Sequence, residues 1–183
     1  MVGFKTVNEF KYEDTEIYDK EKWEKNCGVD EEELKRLESL PLREVAEKWE
    51  IEIDSYNGKK SNALGYYQHG KRIALGVKNL ATWTHKLCHA ADDKLNTLKK
   101  SFGQDAENEI VAEVGGAVLL KILGFNNDAD LGGAWEYVKT YADKDENKSI
   151  KKVMSLVDRI CKCVNLILEE SDEIINSENK KAA

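Results

Sequence analysis

The sequence predicts an α+β domain, with helices first, a small antiparallel or mixed sheet next, and four helices after it. Two observations carry this. Apolar residues recur every three or four positions from residue 30 to 49 and again from 81 to about 175, which is a helical period. Between these stretches EIEID and KRIALGV alternate with a period of two, as strands do. Strands and helices do not alternate along the chain, so a doubly wound parallel sheet is excluded.

Residues 1–20 carry little periodicity and read as an arm or a loose first element. From Asp30, DEEELKRLESL places acids in a first turn, where they complement the helix dipole, and sets Leu34, Leu37 and Leu40 on one stripe. Pro41 ends that helix or opens the next, LREVAEKW, whose apolar positions are Leu42, Val45, Ala46 and Trp49. EIEID then reads as a strand with Ile51 and Ile53 on one face. Asn57-Gly58 signals a turn, and ALGYYQ and KRIALGV form a hairpin about a two-residue His69-Gly70 turn. Helices follow over about 81–100, 105–123, 131–142 and 149–175, the last capped by Asn147 or Ser149. The tail SENKKAA is expected to fray.

Composition narrows the class. A chain of 183 residues, 41% hydrophobic and 34% charged, is long enough for one core without disulfides. No apolar run approaches the length of a membrane span, and the first residues lack the pattern of a secretory leader. Cys27, Cys88, Cys161 and Cys163 have no disulfide-framework spacing, so a cytoplasmic setting is expected. The net charge of -7 argues against a nonspecific binder of nucleic acid. Its excess acidity is N-terminal, because residues 1–54 hold 17 acids against 9 bases. That segment is a solvated face or a surface for a protein or peptide partner.

The chemistry concentrates in two helices. His85 and His89 stand four apart, on one side of a helix, and two such rings can hold one metal ion. The next helix presents Glu109 and Glu113 on one face of an apolar stretch, where a carboxylate needs a partner or a metal. Two histidines and one carboxylate, with water in the fourth position, make a catalytic zinc set. Glu109 supplies the third ligand, and Glu113, one turn on, orients a histidine ring. The structural alternatives are histidines that merely hydrogen-bond or face solvent, a dipole partner for Glu109 and a salt bridge for Glu113. Gly115 and Gly116 lower helix propensity by about 1 kcal/mol each, and their missing side chains let this helix press against the histidine helix.

Other polar groups carry weaker signals. Cys88 reads as buried packing or as a soft ligand, and Asp92 and Asp93 as solvated or capping acids or as groups facing the site. His69 reads as an exposed turn residue or a distant third ligand. One of Tyr66 and Tyr67 is expected to line a cleft at the sheet edge, whereas Trp83, Trp135, Tyr137 and Tyr141 read as packing anchors. Cys161 and Cys163 point in different directions on a helix and do not share a metal.

THKLCHA resembles the active-site helix of the zincin metallopeptidases, and EIVAEVGGAVL resembles their second, glutamate-bearing helix. The run from GYYQHGKRIALG to GGAWEYVKTYADKDENKSIKKV is similar to the C-terminal metallopeptidase domain of antirestriction proteins of the ArdC type. The resemblance covers about residues 45–170. It implies a zincin-like fold, a zinc ion on His85, His89 and Glu109, Glu113 behind them, and a mobile-element or phage origin. It does not extend to the DNA-binding domain of those proteins. One position departs from the pattern: Lys86 stands where the zincin helix carries its general-base glutamate. An ammonium has donors and no acceptor, so it cannot polarise a metal-bound water as a carboxylate does. The expectation is a non-catalytic binding or regulatory module, a pseudoenzyme. The alternatives are a hydrolase with another base, such as Glu113 or a neutral Lys86, and a metal-free interaction domain. The expected organisation is an acidic arm and helix over 1–40, the zincin-like domain over 41–175, and a frayed tail over 176–183.

Overall fold

The computed structural model of the chain describes residues 31–56, 63–99, 105–129, 131–141 and 143–182. The arm expected over residues 1–20 and the turn expected at Asn57-Gly58 lie outside them. The chain separates into two compact units, Met1–Lys35 and Arg36–Ala183. Of the first, the described part is the opening of helix α1 (Glu31–Glu38), where Lys35 Nζ donates to Glu31 one turn back at 2.8 Å.

The second unit is α+β, as the periodicities predict. Leu37 and Leu40 enter its core, but Leu34 is 45% exposed and leaves the predicted stripe. Pro41 separates α1 from α2 (Arg43–Lys48), which buries Val45 and Ala46. Beyond α2, Glu50 takes a left-handed φ of 59° and Ile51 N donates back to Ala46 O at 2.9 Å. This ends the helix and starts β1 (Glu52–Ser55) at once.

The hairpin β2 (Gly65–Gln68) and β3 (Arg72–Leu75) forms as expected, with Tyr67 opposite Ile73. Its loop holds three residues rather than two, since Gln68 pairs with Arg72 and Lys71 N bonds Gln68 O at 2.9 Å. Gly70 supplies the positive φ of 60° that this turn needs. The sheet is mixed. Strand β1 runs parallel to β3 in the order β1-β3-β2, so β3 is central and Ile73, Ala74 and Leu75 are all buried. Arg72 clasps its register partner Glu52 through two hydrogen bonds of 3.0 and 3.1 Å.

Four helices follow: α3 (Leu80–Lys94), α4 (Ala106–Ile122), α5 (Leu131–Thr140) and α6 (Glu146–Ala182). Asn79 Oδ1 caps α3 by accepting from Thr82 N, and Asp105 Oδ1 caps α4 by accepting from Glu107 N and Asn108 N. Helix α6 starts earlier than predicted because its cap is Asp145, which accepts from Lys148 N at 2.8 Å. Neither Asn147 nor Ser149 is the cap; Ser149 lies inside the first turns and donates to Asp145 O. The helix continues to Ala182, and residues 176–181, read as a fraying tail, are helical and exposed. No helix among the described residues is long and apolar enough to cross a membrane.

Helices α3, α4 and α6 form the core around Leu87, Ile110, Val111, Leu119 and Ile167, each with no exposure. Trp83 is equally buried and its Nε1 donates to Pro41 O at 2.8 Å, the anchor role expected of it. An ionic network crosses this core. Arg159 of α6 donates to both oxygens of Asp92, through Nε at 2.8 Å and through Nη2, which also reaches Asn108 Oδ1 at 2.6 Å. Asp92 is therefore not the solvated or site-facing acid of the sequence reading: it has no exposure, and Thr97 Oγ1 adds a third bond at 2.6 Å.

A second pairing sits near the N-terminus of α4. Glu107 accepts from Lys152 Nζ at 2.6 Å and from Lys99 Nζ, and these two bonds pull its carboxyl from 4.5 down to about 2. A depressed folded-state pKa gives stability that is present above the ordinary carboxylate range and lost as pH falls toward the folded value. Glu107→Gln is therefore expected to flatten the loss of stability between about pH 4.5 and pH 2. Urea melts at pH 5, 4 and 3 check this; parallel pH profiles for the two proteins would refute it.

Candidate metal centre

The centre is made where α3 and α4 touch. A Cβ placed on Gly116 would lie 2.8 Å from the backbone nitrogen of His85 and 3.1 Å from its Cα, so the two backbones are in contact there. At Gly115 an added Cβ would meet Cys88 Sγ at 3.0 Å. The glycine pair thus performs the close approach that its sequence suggests. Gly116→Ala gains about 1 kcal/mol of helix propensity but meets backbone atoms that cannot swing aside. A net destabilisation of up to about 2 kcal/mol is expected in urea melts, since overpacking costs roughly 1–3 kcal/mol. An unchanged or higher midpoint would show that the helices yield at little cost.

This contact brings the predicted donors together. His85 Nε2 and His89 Nε2 are 3.1 Å apart, His85 Nε2 lies 3.4 Å from Glu109 Oε2, and His89 Nε2 lies 3.5 Å from Glu109 Oε1. The three side chains are buried, and their donor atoms all fall within 4.8 Å of one another. Such a group can hold a metal ion. Glu113 meets the other side of His85, with Oε2 2.7 Å from Nδ1. A carboxylate there accepts the Nδ1 proton, which leaves Nε2 with its lone pair aimed at the centre.

Electrostatics also favour an ionised Glu109. Burial raises the Glu109 carboxyl, but hydrogen bonds and charges from His85 and His89 outweigh it and hold the group below the usual carboxylate range. Burial lowers His89, against the Glu109 hydrogen bond, so this ring favours the neutral form that can ligate. Tyr137 Oη donates to Glu109 Oε2 at 3.3 Å and pairs with Tyr141 Oη at 2.9 Å. Burial, Tyr141 and Glu109 all raise Tyr137, which keeps its proton as a donor.

Lys86 lines a cleft of about 510 Å³ together with His85, Glu109, Glu113 and Tyr137. The sequence reading turns this lysine away or pairs it with an acid. Instead its side chain is in the cleft, with no hydrogen bond or close ion pair among the described residues. Burial lowers its pKa, while the charges of Glu109 and Glu113 raise it.

The remaining candidates separate from the centre. Cys88 is fully buried packing, and burial pushes its thiol well up. His69 is half exposed in the turn with Nδ1 3.3 Å from Asp93, and Asp93 also accepts from Tyr67 Oη at 2.7 Å. Neither Tyr66 nor Tyr67 lines the cleft; Ala63, Leu64 and Gly65 do, because the chain enters β2 along that edge. Cys161 is exposed and Cys163 buried, so they do not meet. Tyr137 is the site residue that the sequence reading missed, having been grouped with the packing anchors. A tyrosine one turn before Tyr141 on a glycine-rich helix is too common a pattern to single out.

Comparisons of this chain with known protein families, with curated proteins and with solved structures find no match.

Proposed function

We propose that the chain is a zinc-binding, zincin-like protein whose HKLCH helix has lost peptidase chemistry and which acts as a binding or regulatory module. The observation that carries this is the convergence of His85, His89 and Glu109 beside a lysine in place of the general base. Tetrahedral donors held about 2.0–2.1 Å from zinc stand about 3.3 Å from one another. The 3.1 Å between His85 Nε2 and His89 Nε2 suits that spacing, and Glu109 sets a different oxygen against each ring, Oε2 3.4 Å from His85 Nε2 and Oε1 3.5 Å from His89 Nε2. Zinc supplies Lewis acidity when bound, and the chain's own groups do the rest of the positioning. Glu113 fixes the tautomer of His85, and Tyr137 holds one oxygen of Glu109.

The loss of hydrolysis follows from two placements. Lys86 carries donors and, in its charged form, no acceptor for a proton from water. Glu113, the nearest substitute, already accepts from His85 at 2.7 Å. That engagement disfavours the reading as a hydrolase with a replacement base. The resemblance to antirestriction proteins supports a cytoplasmic role toward a protein or peptide partner, and the net charge of -7 gives no support to nucleic acid.

The test is elemental analysis of freshly purified protein, paired with a peptide-hydrolysis assay with and without chelator. About one zinc per chain and no hydrolysis is the expected result. Zinc-dependent cleavage by the unmodified protein would overturn the non-catalytic reading, and absence of metal after zinc is supplied at neutral pH would overturn the whole.

A further inference from the structure

Helix α6 carries an apolar row of which only Leu168 packs against the core. Ile150, Met154, Val157 and Ile175 are exposed by 47, 66, 38 and 49%, Cys161 is exposed, and Leu168 is half-buried. Their spacings of four, three, four, seven and seven keep all six within about 60° of the helix surface at 3.6 residues per turn. The row runs about 37 Å at 1.5 Å per residue. This is the heptad seam of a helix that packs on another helix, and it flanks the face that α6 turns to its own core.

Charge along the helix is polar in the lengthwise sense. From 148 to 162 the side chains are Lys148, Lys151, Lys152, Arg159 and Lys162 against Asp158 alone. From 163 to 178 they are Glu169, Glu170, Asp172, Glu173 and Glu178, with no base. Many of these are already paired within the chain: Lys152 with Glu107, Arg159 with Asp92, Lys162 with Asp158, and Glu170 and Glu173 with Lys48. Lys151, Glu169 and Asp172 have no ion pair among the described residues, and all three border the apolar row.

We infer that this face binds a second copy of the chain, with the two α6 helices antiparallel about a two-fold axis near Cys161. Antiparallel pairing sets Lys151 of each copy against Asp172 and Glu169 of the other, twice by symmetry. A parallel pair would instead oppose Lys151 to Lys151 and Asp172 to Asp172, which is repulsive. With Lys151 level with Asp172, the positions sum so that the axis falls beside residue 161. Leu168 then meets the Met154 end of the partner helix, and the two Cys161 thiols face each other across the axis. The surface is independent of the metal centre, whose residues lie on α3, α4 and α5.

The test is sedimentation equilibrium of the full chain at about 5–100 µM, together with cross-linking by a short bis-maleimide. A dimer by sedimentation in both proteins, with a cross-link that forms through Cys161 and is lost in Cys161→Ser, is the expected result. Met154→Glu should give a monomer that keeps the parent's helical circular-dichroism spectrum, because that side chain is 66% exposed. Lys151→Asp and Asp172→Lys should each weaken association by about tenfold at low salt, and the double reversal should restore it. A monomer at 100 µM overturns the inference. So does a dimer that survives Met154→Glu, or one whose double charge reversal is weaker than either single variant. Protection of Cys161 from maleimide in a monomer would assign the row to another segment of the same chain, and would also overturn it.

Discussion

His85→Ala is expected to abolish stoichiometric zinc uptake while leaving the helices in place. His85 supplies one of three protein donors, and structural zinc sites bind with roughly 10–16 kcal/mol in total. Removing one donor should therefore cost about 3 kcal/mol or more, a hundredfold or greater loss of affinity. The variant also frees Glu113, which keeps its carboxylate beside the cleft without the imidazole it now meets at 2.7 Å. Two measurements check the result. Elemental analysis should find about one zinc per chain in the parent and little in the variant. Excess zinc should raise the melting midpoint of the parent alone, since a ligand at a hundred times its Kd stabilises by about 2.7 kcal/mol. Equal zinc content in the two proteins would place the ion elsewhere.

Arg159→Met is expected to give the largest loss of stability of any change outside the centre, about 3–5 kcal/mol. The reason is Asp92, which has no exposure and would lose both of its guanidinium bonds. Thr97 Oγ1 would remain, and one hydroxyl does not compensate a buried carboxylate. Arg159→Met with Asp92→Asn should lose less than Arg159→Met alone, because the orphaned charge is gone. Urea melts of the two variants measure the difference. The effect should reach the candidate metal centre as well. Asp92 lies three residues after His89, and Asn108, which also accepts from Arg159, directly precedes Glu109. The guanidinium thus ties both ligand-bearing helices to α6.

The positions of the helices and of the hairpin were legible because each rests on a local period or a turn residue. His85, His89 and Glu109 were legible for the same reason, since i,i+4 spacing and a carboxylate within an apolar run are local facts. What escaped was set by contacts distant in sequence. The parallel pairing of β1 with β3 depends on where the connection returns, which no alternation of side chains encodes. Asp92 looked like a surface acid because its partner Arg159 is 67 residues away. Tyr137 looked like packing because its hydroxyl partner Glu109 is 28 residues away on another helix. The cap of α6 was misplaced by choosing residues inside the helix over Asp145, whose spacing to Lys148 is the one that an N-cap needs. Lys86 was read by its chemistry alone, and its burial in the cleft depends on helices α3 and α4 meeting, which no local pattern gives.

The division of the donors between α3 and α4 has a consequence for unfolding. His89 and Glu109 stand twenty positions apart in the chain. An ion joining them would act as a cross-link, and closing a loop of that size removes about 3 kcal/mol worth of entropy from the unfolded chain. Chelation would then lower the stability of the whole fold by about that amount, and the amide hydrogens that exchange only through complete unfolding, in α3, α4 and α6 alike, would exchange faster. The ion would be, in that sense, a removable disulfide, set in a protein whose described cysteines, Cys88, Cys161 and Cys163, are free thiols.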